Sequence, residues 1–166
     1  LHMWEKAKDF LRKAFTIIFV ASIIIWFLQS FDFAFNFVED SSTSMLANIG
    51  TWISHIFAPL GFEDWRASTA LVTGITAKES VVSTLSVLTN TTSDAGLSVA
   101  LQTIFSPVSA FAFLCFTVLY MPCVAAFAAT KRELGSMKQA LATVAYQTGV
   151  AYVVALLVYQ IGSLLF

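Results

Sequence analysis

Residues 95–130 contain no charged side chain, which limits the possible folds of this chain more than any other feature. The part that begins at Pro107, PVSAFAFLCFTVLYMPCVAAFAAT, is long enough to cross the apolar core of a bilayer, which takes about 20 residues. Over the whole chain 58% of the residues are hydrophobic and 11% are charged. In an ordinary soluble domain, roughly 45–50% of the residues are apolar and about 25% are charged. The sequence therefore predicts a membrane protein.

Two further uncharged or nearly uncharged runs predict a first span over residues 14–31 and a last span over residues 139–166. Backbone groups that face lipid have no water to bind, so each span should be a helix that satisfies its own hydrogen bonds. We expect an all-α, polytopic membrane helical bundle. Residues 1–13 alternate charged and aromatic side chains and predict an amphipathic segment at the cytoplasmic interface, and residues 14–166 predict the transmembrane domain.

The basic residues predict the topology. Seven of the nine Lys and Arg residues lie before the first span or after the Pro107 span, at Lys6, Lys8, Arg12, Lys13, Lys131, Arg132 and Lys138. The positive-inside rule places both groups in the cytoplasm, with Asp40, Asp64 and Asp94 outside. The chain must then cross an even number of times between them, so residues 40–95 should form a re-entrant excursion or a pair of crossings. We expect a hairpin with an arm over residues 44–62, stopped by Pro59 and Gly61, and a polar turn EDWR.

Lys78 and Glu79 lie side by side within an otherwise apolar segment, TALVTGITAKESVVSTLSVL. A charged side chain at the bilayer centre costs about 2.5–3.5 kcal/mol, so this pair should line a path or a protein interface. Gly74 offers a place for the helix to break. On an unbroken helix, one face would carry the hydroxyl residues Thr69, Thr73, Thr76, Ser80 and Ser83. The pair could equally be a structural lock onto a neighbouring helix.

Pro122 and Cys123 form the second candidate site, within LYMPCVAAFAATKRE. Proline cannot donate to the carbonyl of Val118, so we expect a kink and a free oxygen at membrane depth. The thiol of Cys123 and the thioether of Met121 are soft ligands that suit a transition metal. A buried cysteine is also commonly a small hydrophobic residue.

Other polar residues have simpler explanations. His55 fits an interfacial helix that needs no metal, although imidazole is also a common metal ligand. Cys115 is assigned to packing, and a disulfide with Cys123 is excluded on one helix because the rise between them is about 12 Å. Two Tyr-Gln pairs, 146–147 and 159–160, are interpreted as bonds between helices. The sequence has no local motif for nucleotide hydrolysis, dinucleotide binding or zinc, and no basic run that suits nucleic acid, so we expect no enzymatic activity in this chain.

The sequence resembles the C-terminal membrane half of the ferrous iron transport protein B (FeoB) family. The resemblance rests on FLRKAFTIIFVASIIIWFL, PLGFEDWRASTALVTGITAKESVVSTL, LYMPCVAAFAATKRELGS and YQTGVAYVVALLVYQIG, in that order. It implies a Gate-type domain, the second of two such segments in a bacterial inner-membrane transporter. A separate cytosolic G domain would bind GTP and Mg²⁺, and neither that domain nor the first Gate segment matches this chain.

What the resemblance implies for individual residues is narrower. Cys123 matches the family's Pro-Cys motif, proposed to meet Fe²⁺ during transport, and Gly74, Lys78 and Glu79 match its G-x-x-A-K-E motif. Together with Pro122 these are the candidate pathway residues, with Cys123, Glu79 and Met121 as transient Fe²⁺ ligands and no resident cofactor. The expected partners are Fe²⁺, the lipid bilayer and the rest of the transporter, and the chain could assemble with copies of itself. The alternatives are a Gate-type nucleoside or spore-maturation relative, and a structural assembly module without a pathway.

Overall fold

The computed structural model describes residues 2–38, 41–91 and 93–165, and these residues form eight α-helices and no strand. Asp40, which the charge pattern places outside, lies beyond the described residues. The α-helices are α1 (His2–Ser30), α2 (Met45–Ser54), α3 (Trp65–Gly74), α4 (Ser80–Leu88), α5 (Asp94–Ile104), α6 (Pro107–Leu119), α7 (Val124–Leu134) and α8 (Met137–Leu165). Two 3-10 helices, Ser41–Thr43 and His55–Leu60, flank α2. The predicted all-α membrane bundle is confirmed.

Short polar side chains begin several of these helices. Ser44 accepts a hydrogen bond from Ala47 N at the start of α2, and Asp64 accepts one from Arg66 N at the start of α3. Ser106 does the same for Ser109 N, with Pro107 in the first turn of α6, where its missing N–H is not needed. These caps satisfy amide groups that have no partner within their own helix.

The longest apolar helices agree with the predicted spans at the C-terminal end. Counted across a break, Pro107–Leu134 is long and apolar enough to cross a membrane, and so is Met137–Leu165. The predicted first span, residues 14–31, lies within α1 except for its last residue, and the part Ile18–Ser30 is a shorter apolar helix. Helix α1 is continuous from residue 2, so no break separates the predicted interfacial segment 1–13 from the span. Its position along the interface stays a prediction.

The hairpin predicted between residues 40 and 95 contains one more reversal than expected. The turn at residues 61–64 joins the 3-10 helix to α3, as the EDWR motif predicts. The chain then turns again at residues 75–79, and α4 packs back against α3, so that the Oγ1 atoms of Thr73 and Thr84 lie 2.9 Å apart. On a straight helix these two residues would be about 16 Å apart. Helices α3 and α4, of 10 and 9 residues, therefore form a short helical hairpin.

The core lies between the α2–α3 turn, α6 and α8. Phe57 and Phe62 stack on each other, and each also contacts the Phe116 ring of α6. Small residues let α8 approach α6 closely, since Ala151 and Ala155 are fully buried. Gln160 Nε2 donates to Pro59 O at 3.4 Å, a bond between segments of the kind expected for these glutamines. The other Tyr-Gln pair, residues 146–147, is exposed.

Candidate functional site

Two breaks between consecutive helices meet inside the bundle, and we call each of them an interruption. One interruption is the hairpin tip at residues 75–79, and the other is the segment 120–123 between α6 and α7. The Val124 N–H donates to Ile75 O at 2.9 Å, which joins the two interruptions directly. We call these two segments together the crossing. Irregular backbone within a membrane needs protein partners, and each interruption supplies partners for the other.

Pro122 ends its helix more completely than predicted. The sequence predicts a kink in one helix, whereas the structure has two helices separated by extended backbone, with ψ of 176° at Tyr120 and 161° at Cys123. Because proline has no N–H, the Val118 carbonyl loses its helical donor. The other carbonyls at the end of α6 also lack a donor from their own helix, because the helix stops there, and together they carry the negative end of its dipole.

Lys78 occupies the end of α6. Its Nζ donates to Val118 O at 3.0 Å and to Tyr120 O at 3.3 Å, and it lies 5.0 Å from the centroid of the Tyr120 ring. A cation at a helix C-terminus is favoured by both the free carbonyls and the dipole. The Val118 oxygen that proline frees is therefore bound by Lys78 in this arrangement, so it is not free to contact a metal ion.

Tyr120 and Gly74 fix how closely the two interruptions approach. Tyr120 is 5% exposed, and its hydroxyl donates to Leu71 O at 3.2 Å near the end of α3. A Cβ added at Gly74 would lie 2.5 Å from Val81 Cγ2 and 2.6 Å from Tyr120 Oη. Glycine is therefore needed here for space. Sequence reasoning overlooked Tyr120, although a tyrosine in an apolar run needs a partner for its hydroxyl.

Glu79 has different surroundings from Lys78. It is exposed at the position before α4, and its side chain does not cap that helix. Among the residues that the structure describes, its carboxylate has no hydrogen-bond or ion-pair partner. The two neighbours are thus one bound cation and one free anion at the same hairpin tip.

Cys123 precedes the first turn of α7 and is a half-buried free thiol, as is Cys115 on α6. Met121 and Pro122 are half-buried, and Met121 packs against the core. Within the described part of the chain, no three His, Cys, Asp or Glu side chains lie close enough to hold a metal ion together. The described residues therefore form no closed, multi-ligand metal centre of the structural kind.

Two cavities lie on opposite sides of α4. One, of about 810 Å³, is lined mainly by apolar side chains of α4, α5 and α6, together with Ser98, Gln102, Ser106 and Thr117, and Lys78 is the only charged side chain among its described lining residues. The other, of about 260 Å³, lies against α1, and most of its lining residues carry a polar group; we call it the polar cavity. Its polar lining residues are Ser22, Trp26, Gln29, Thr73, Thr76, Ser80, Ser83 and Thr84. Of the five hydroxyl residues predicted to share one helix face, Thr73, Thr76, Ser80 and Ser83 therefore line this cavity. Thr69 does not line it and lies against Gly50 of α2.

Comparison with known proteins agrees with this architecture. Residues 11–137 match the Gate family, described as nucleoside recognition. The chain is 44% identical to the Fe(2+) transporter FeoB of Methanocaldococcus jannaschii, over 98% of the chain and 25% of that protein. It is 41% identical to Fe(2+) transporter FeoB of Staphylococcus aureus (strain COL), over 97% of the chain and 24% of that protein.

A third relative is a Fe(2+) transport protein A/Fe(2+) transporter FeoB fusion protein of Porphyromonas gingivalis, 32% identical over 100% of the chain and 25% of that protein. No solved structure matches. The chain spans about a quarter of the length of these curated relatives, and the matches confirm its resemblance to a Gate segment of FeoB proteins. Because the Gate match covers most of the sequence, the chain belongs to the Gate family.

Proposed function

We propose that this chain forms part of the pathway by which ferrous iron crosses a membrane, within a larger GTP-linked transporter. The names of the relatives support iron as the substrate. The observation that carries the proposal is the crossing, where two helix interruptions meet and are joined by the Val124–Ile75 bond. Interrupted helices that meet inside a bundle place polar backbone and side chains at membrane depth, as transport sites do.

The charges at the crossing favour one side of α4 for the cation. The apolar cavity is bounded by the Lys78 ammonium, which repels a cation and offers it no anionic ligand. The polar cavity offers hydroxyl and amide oxygens with no ammonium among its described lining residues, and oxygen ligands without a full charge let a passing ion leave as readily as it enters. We therefore propose that Fe²⁺ passes on the α1 side of the hairpin and that Lys78 holds the crossing together.

Glu79 and Cys123 are the proposed transient ligands. The Glu79 carboxylate is exposed and has no partner among the described residues, so it can exchange with water on a hydrated Fe²⁺ ion. The Cys123 thiol is half-buried at the other interruption and offers a softer ligand for the same borderline metal. The thioether of Met121 is a further candidate. Conduction requires that such contacts be few and weak.

The rest of the proposal concerns the parent protein. A G domain elsewhere in it would bind GTP and Mg²⁺, and a first Gate segment would complete the membrane region. We place the protein in the bacterial cytoplasmic membrane as a multi-pass protein, with residue 1 of this chain on the cytoplasmic side, in agreement with the basic residues beside the predicted spans. Assembly of several copies is part of the same proposal.

Iron uptake by the full-length protein tests the pathway. We expect Glu79→Gln and Cys123→Ser each to lower the rate of radioactive Fe²⁺ uptake several-fold at unchanged protein level in the membrane. Cys115→Ser removes the other free thiol, on the α6 helix, and should leave uptake near normal. Equal effects of the two cysteine variants, or a normal rate with Glu79→Gln, would contradict the proposed ligands.

A nucleoside is the second candidate substrate, because the matching family is described as nucleoside recognition. The polar cavity, at about 260 Å³, is smaller than the roughly 300–1,000 Å³ that small-molecule sites usually occupy. The cavity of about 810 Å³ has that size, but its lining is mainly apolar and offers few hydrogen-bonding groups for a base and a ribose. Iron is therefore the better fit. Uptake of labelled nucleoside by the full-length protein, without any uptake of Fe²⁺, would reverse this order, and uptake of neither would favour a structural module.

A further inference from the structure

Two side chains that commonly bind metals lie together at the turn before α3, away from the crossing. His55 begins the 3-10 helix and Glu63 lies in the loop that follows it. His55 Nε2 and Glu63 Oε1 are 3.8 Å apart, with the two side chains 71% and 48% exposed. This distance is too long for a hydrogen bond, but it lies within the range of an ion pair when the imidazole is charged.

The histidine ring is oriented by a second contact. His55 Nδ1 lies 2.9 Å from the Thr51 carbonyl oxygen. A carbonyl oxygen can only accept, so Nδ1 must carry a proton. In the neutral ring, Nε2 then presents its lone pair toward Glu63. Metal-binding histidines are typically held in this way, with one ring nitrogen donating to a carbonyl and the other facing the metal.

The spacing of the two atoms suits a shared cation. Two ligands at about 2.0–2.2 Å from one metal ion lie roughly 3.0–3.5 Å apart at ordinary coordination angles. A movement of about half an ångström by these exposed side chains closes the difference. Their exposure also leaves room for water to complete the coordination.

The contacts of this turn with α8 put the pair at the opposite end of that helix from the basic residues near its start. The carbonyls of Ile56 and Pro59 accept hydrogen bonds from Tyr152 and Gln160 of α8. Gln160 lies roughly 30 Å along the helix from Lys138, at a rise of 1.5 Å per residue, which is about one bilayer thickness. Lys138 belongs to the basic turn that the positive-inside rule places in the cytoplasm, so the turn at His55 lies at the opposite face.

We infer that His55 and Glu63 form a capture site for a divalent first-row transition-metal cation at the outer face of the bundle. Imidazole and carboxylate together suit Fe²⁺ and its neighbours in the series better than Mg²⁺ or Ca²⁺. Two protein ligands bind such an ion weakly, which favours release to the interior. The inference rests on the proposed function for the identity of the ion, which is Fe²⁺.

Direct metal binding tests the site without any transport. Co²⁺, which reports its ligands by visible absorption, is titrated into purified full-length protein carrying His55→Ala, Glu63→Gln or both. We expect each single variant to lose one Co²⁺ equivalent or to bind it at least tenfold more weakly, and the double variant to be no worse, because the two ligands act as one site. Glu133→Gln, which removes an exposed carboxylate near the end of α7, away from His55, is the matched control and should change nothing. Identical titrations for wild type and His55→Ala overturn the inference.

Uptake kinetics separate this site from the pathway itself. We expect His55→Ala to raise the Fe²⁺ concentration for half-maximal uptake about fivefold and to leave the maximal rate unchanged, because the site gathers the ion but does not conduct it. An unchanged half-maximal concentration overturns the capture role, even where iron transport is normal. If the wild type transports no iron, the proposed function fails, and the Co²⁺ titration still decides whether the two residues bind a metal.

Discussion

Helix α8 and the crossing satisfy their backbone groups in opposite ways. Helix α8 runs without interruption from Met137 to Leu165, although it contains Gly149 and Gly162. Its interior hydrogen bonds are made within the helix. At the crossing, backbone carbonyls are bound by residues from a distant part of the chain: Lys78 donates to Tyr120 O, and the Val124 amide donates to Ile75 O.

The difference explains where this sequence can tolerate change. Apart from Tyr152 and Gln160, which donate to carbonyls of the 3-10 helix, most described residues of α8 can be replaced without removing a hydrogen-bond partner from another segment, provided that packing allows it. Within the crossing, a side chain or a backbone amide supports the opposite segment, so its loss leaves a polar group without a partner. Such groups are expensive to bury. We therefore expect matched substitutions to cost more in the crossing than in α8.

We expect the largest difference in stability between alanine substitutions at two glycines, one in the crossing and one in α8. A Cβ at Gly74 would lie 2.5 Å from Val81 Cγ2 and 2.6 Å from Tyr120 Oη, whereas a Cβ at Gly149 meets nothing within 4 Å. Overpacking a close contact costs about 1–3 kcal/mol, and the Tyr120 hydroxyl is held in place by Leu71. We expect Gly74→Ala to destabilise the crossing by about 3 kcal/mol. Gly149→Ala should stabilise α8 by roughly 0.5–1 kcal/mol, because glycine is unfavourable inside a helix.

Hydrogen exchange of the Val124 amide measures the first of these effects, since this N–H binds Ile75 O only while the crossing is closed. Exchange in the full-length protein should be roughly 100-fold faster with Gly74→Ala. Equal exchange rates at Val124 in the two alanine variants would show that the close approach at Gly74 does not contribute to the stability of the crossing.

A smaller difference should separate two lysines. Lys78→Met removes the donor to the carbonyls of Val118 and Tyr120 and leaves the end of α6 without a cation. Hydrogen bonds from a charged donor contribute about 1.5–3 kcal/mol, so we expect a loss of about 2 kcal/mol and roughly 30-fold faster exchange at Val124. Lys138→Met, at an exposed position of α8, should change exchange little. A Lys78 variant that matched this control would exclude Lys78 as the lock of the crossing.

Sequence reasoning predicted where the helices are interrupted. Gly74 and Pro122 both lie at helix ends, because the physical reasons are local: glycine gives freedom and close approach, and proline lacks a donor. The spans from Pro107 onward were predicted equally well, since length and apolarity suffice for them.

What fills the interruptions could not be predicted in this way. The bond from Lys78 to Val118 joins residues 40 positions apart, and that from Tyr120 to Leu71 joins residues 49 apart. No periodicity within one helix encodes such a contact. The assumption of an unbroken helix also hid the second reversal at residues 75–79 and the contribution of α1 to the polar cavity. The metal-ligand roles of Glu79 and Cys123 stay predictions.

We expect the smallest difference in stability between phenylalanine substitutions at two tyrosines, one in the crossing and one in α8. The Tyr120 hydroxyl is buried and donates to Leu71 O, whereas Tyr146 on α8 is 74% exposed. Tyr120→Phe keeps the ring, and with it the stacking on Phe116, so the change isolates a single hydrogen bond. One such bond contributes about 0.5–1.5 kcal/mol, and the Leu71 carbonyl left without its donor moves the cost toward the upper end of that range.

We therefore expect Tyr120→Phe to speed exchange at Val124 by about fivefold to tenfold, with Tyr146→Phe as the control that changes nothing. The control matters because water can replace a lost partner only where it has access, as at Tyr146. If Tyr120→Phe leaves exchange at the level of the control, the Leu71 carbonyl has found water. The crossing would then be hydrated as far as the end of α3, and its stability would depend on Lys78 and the Val124–Ile75 bond.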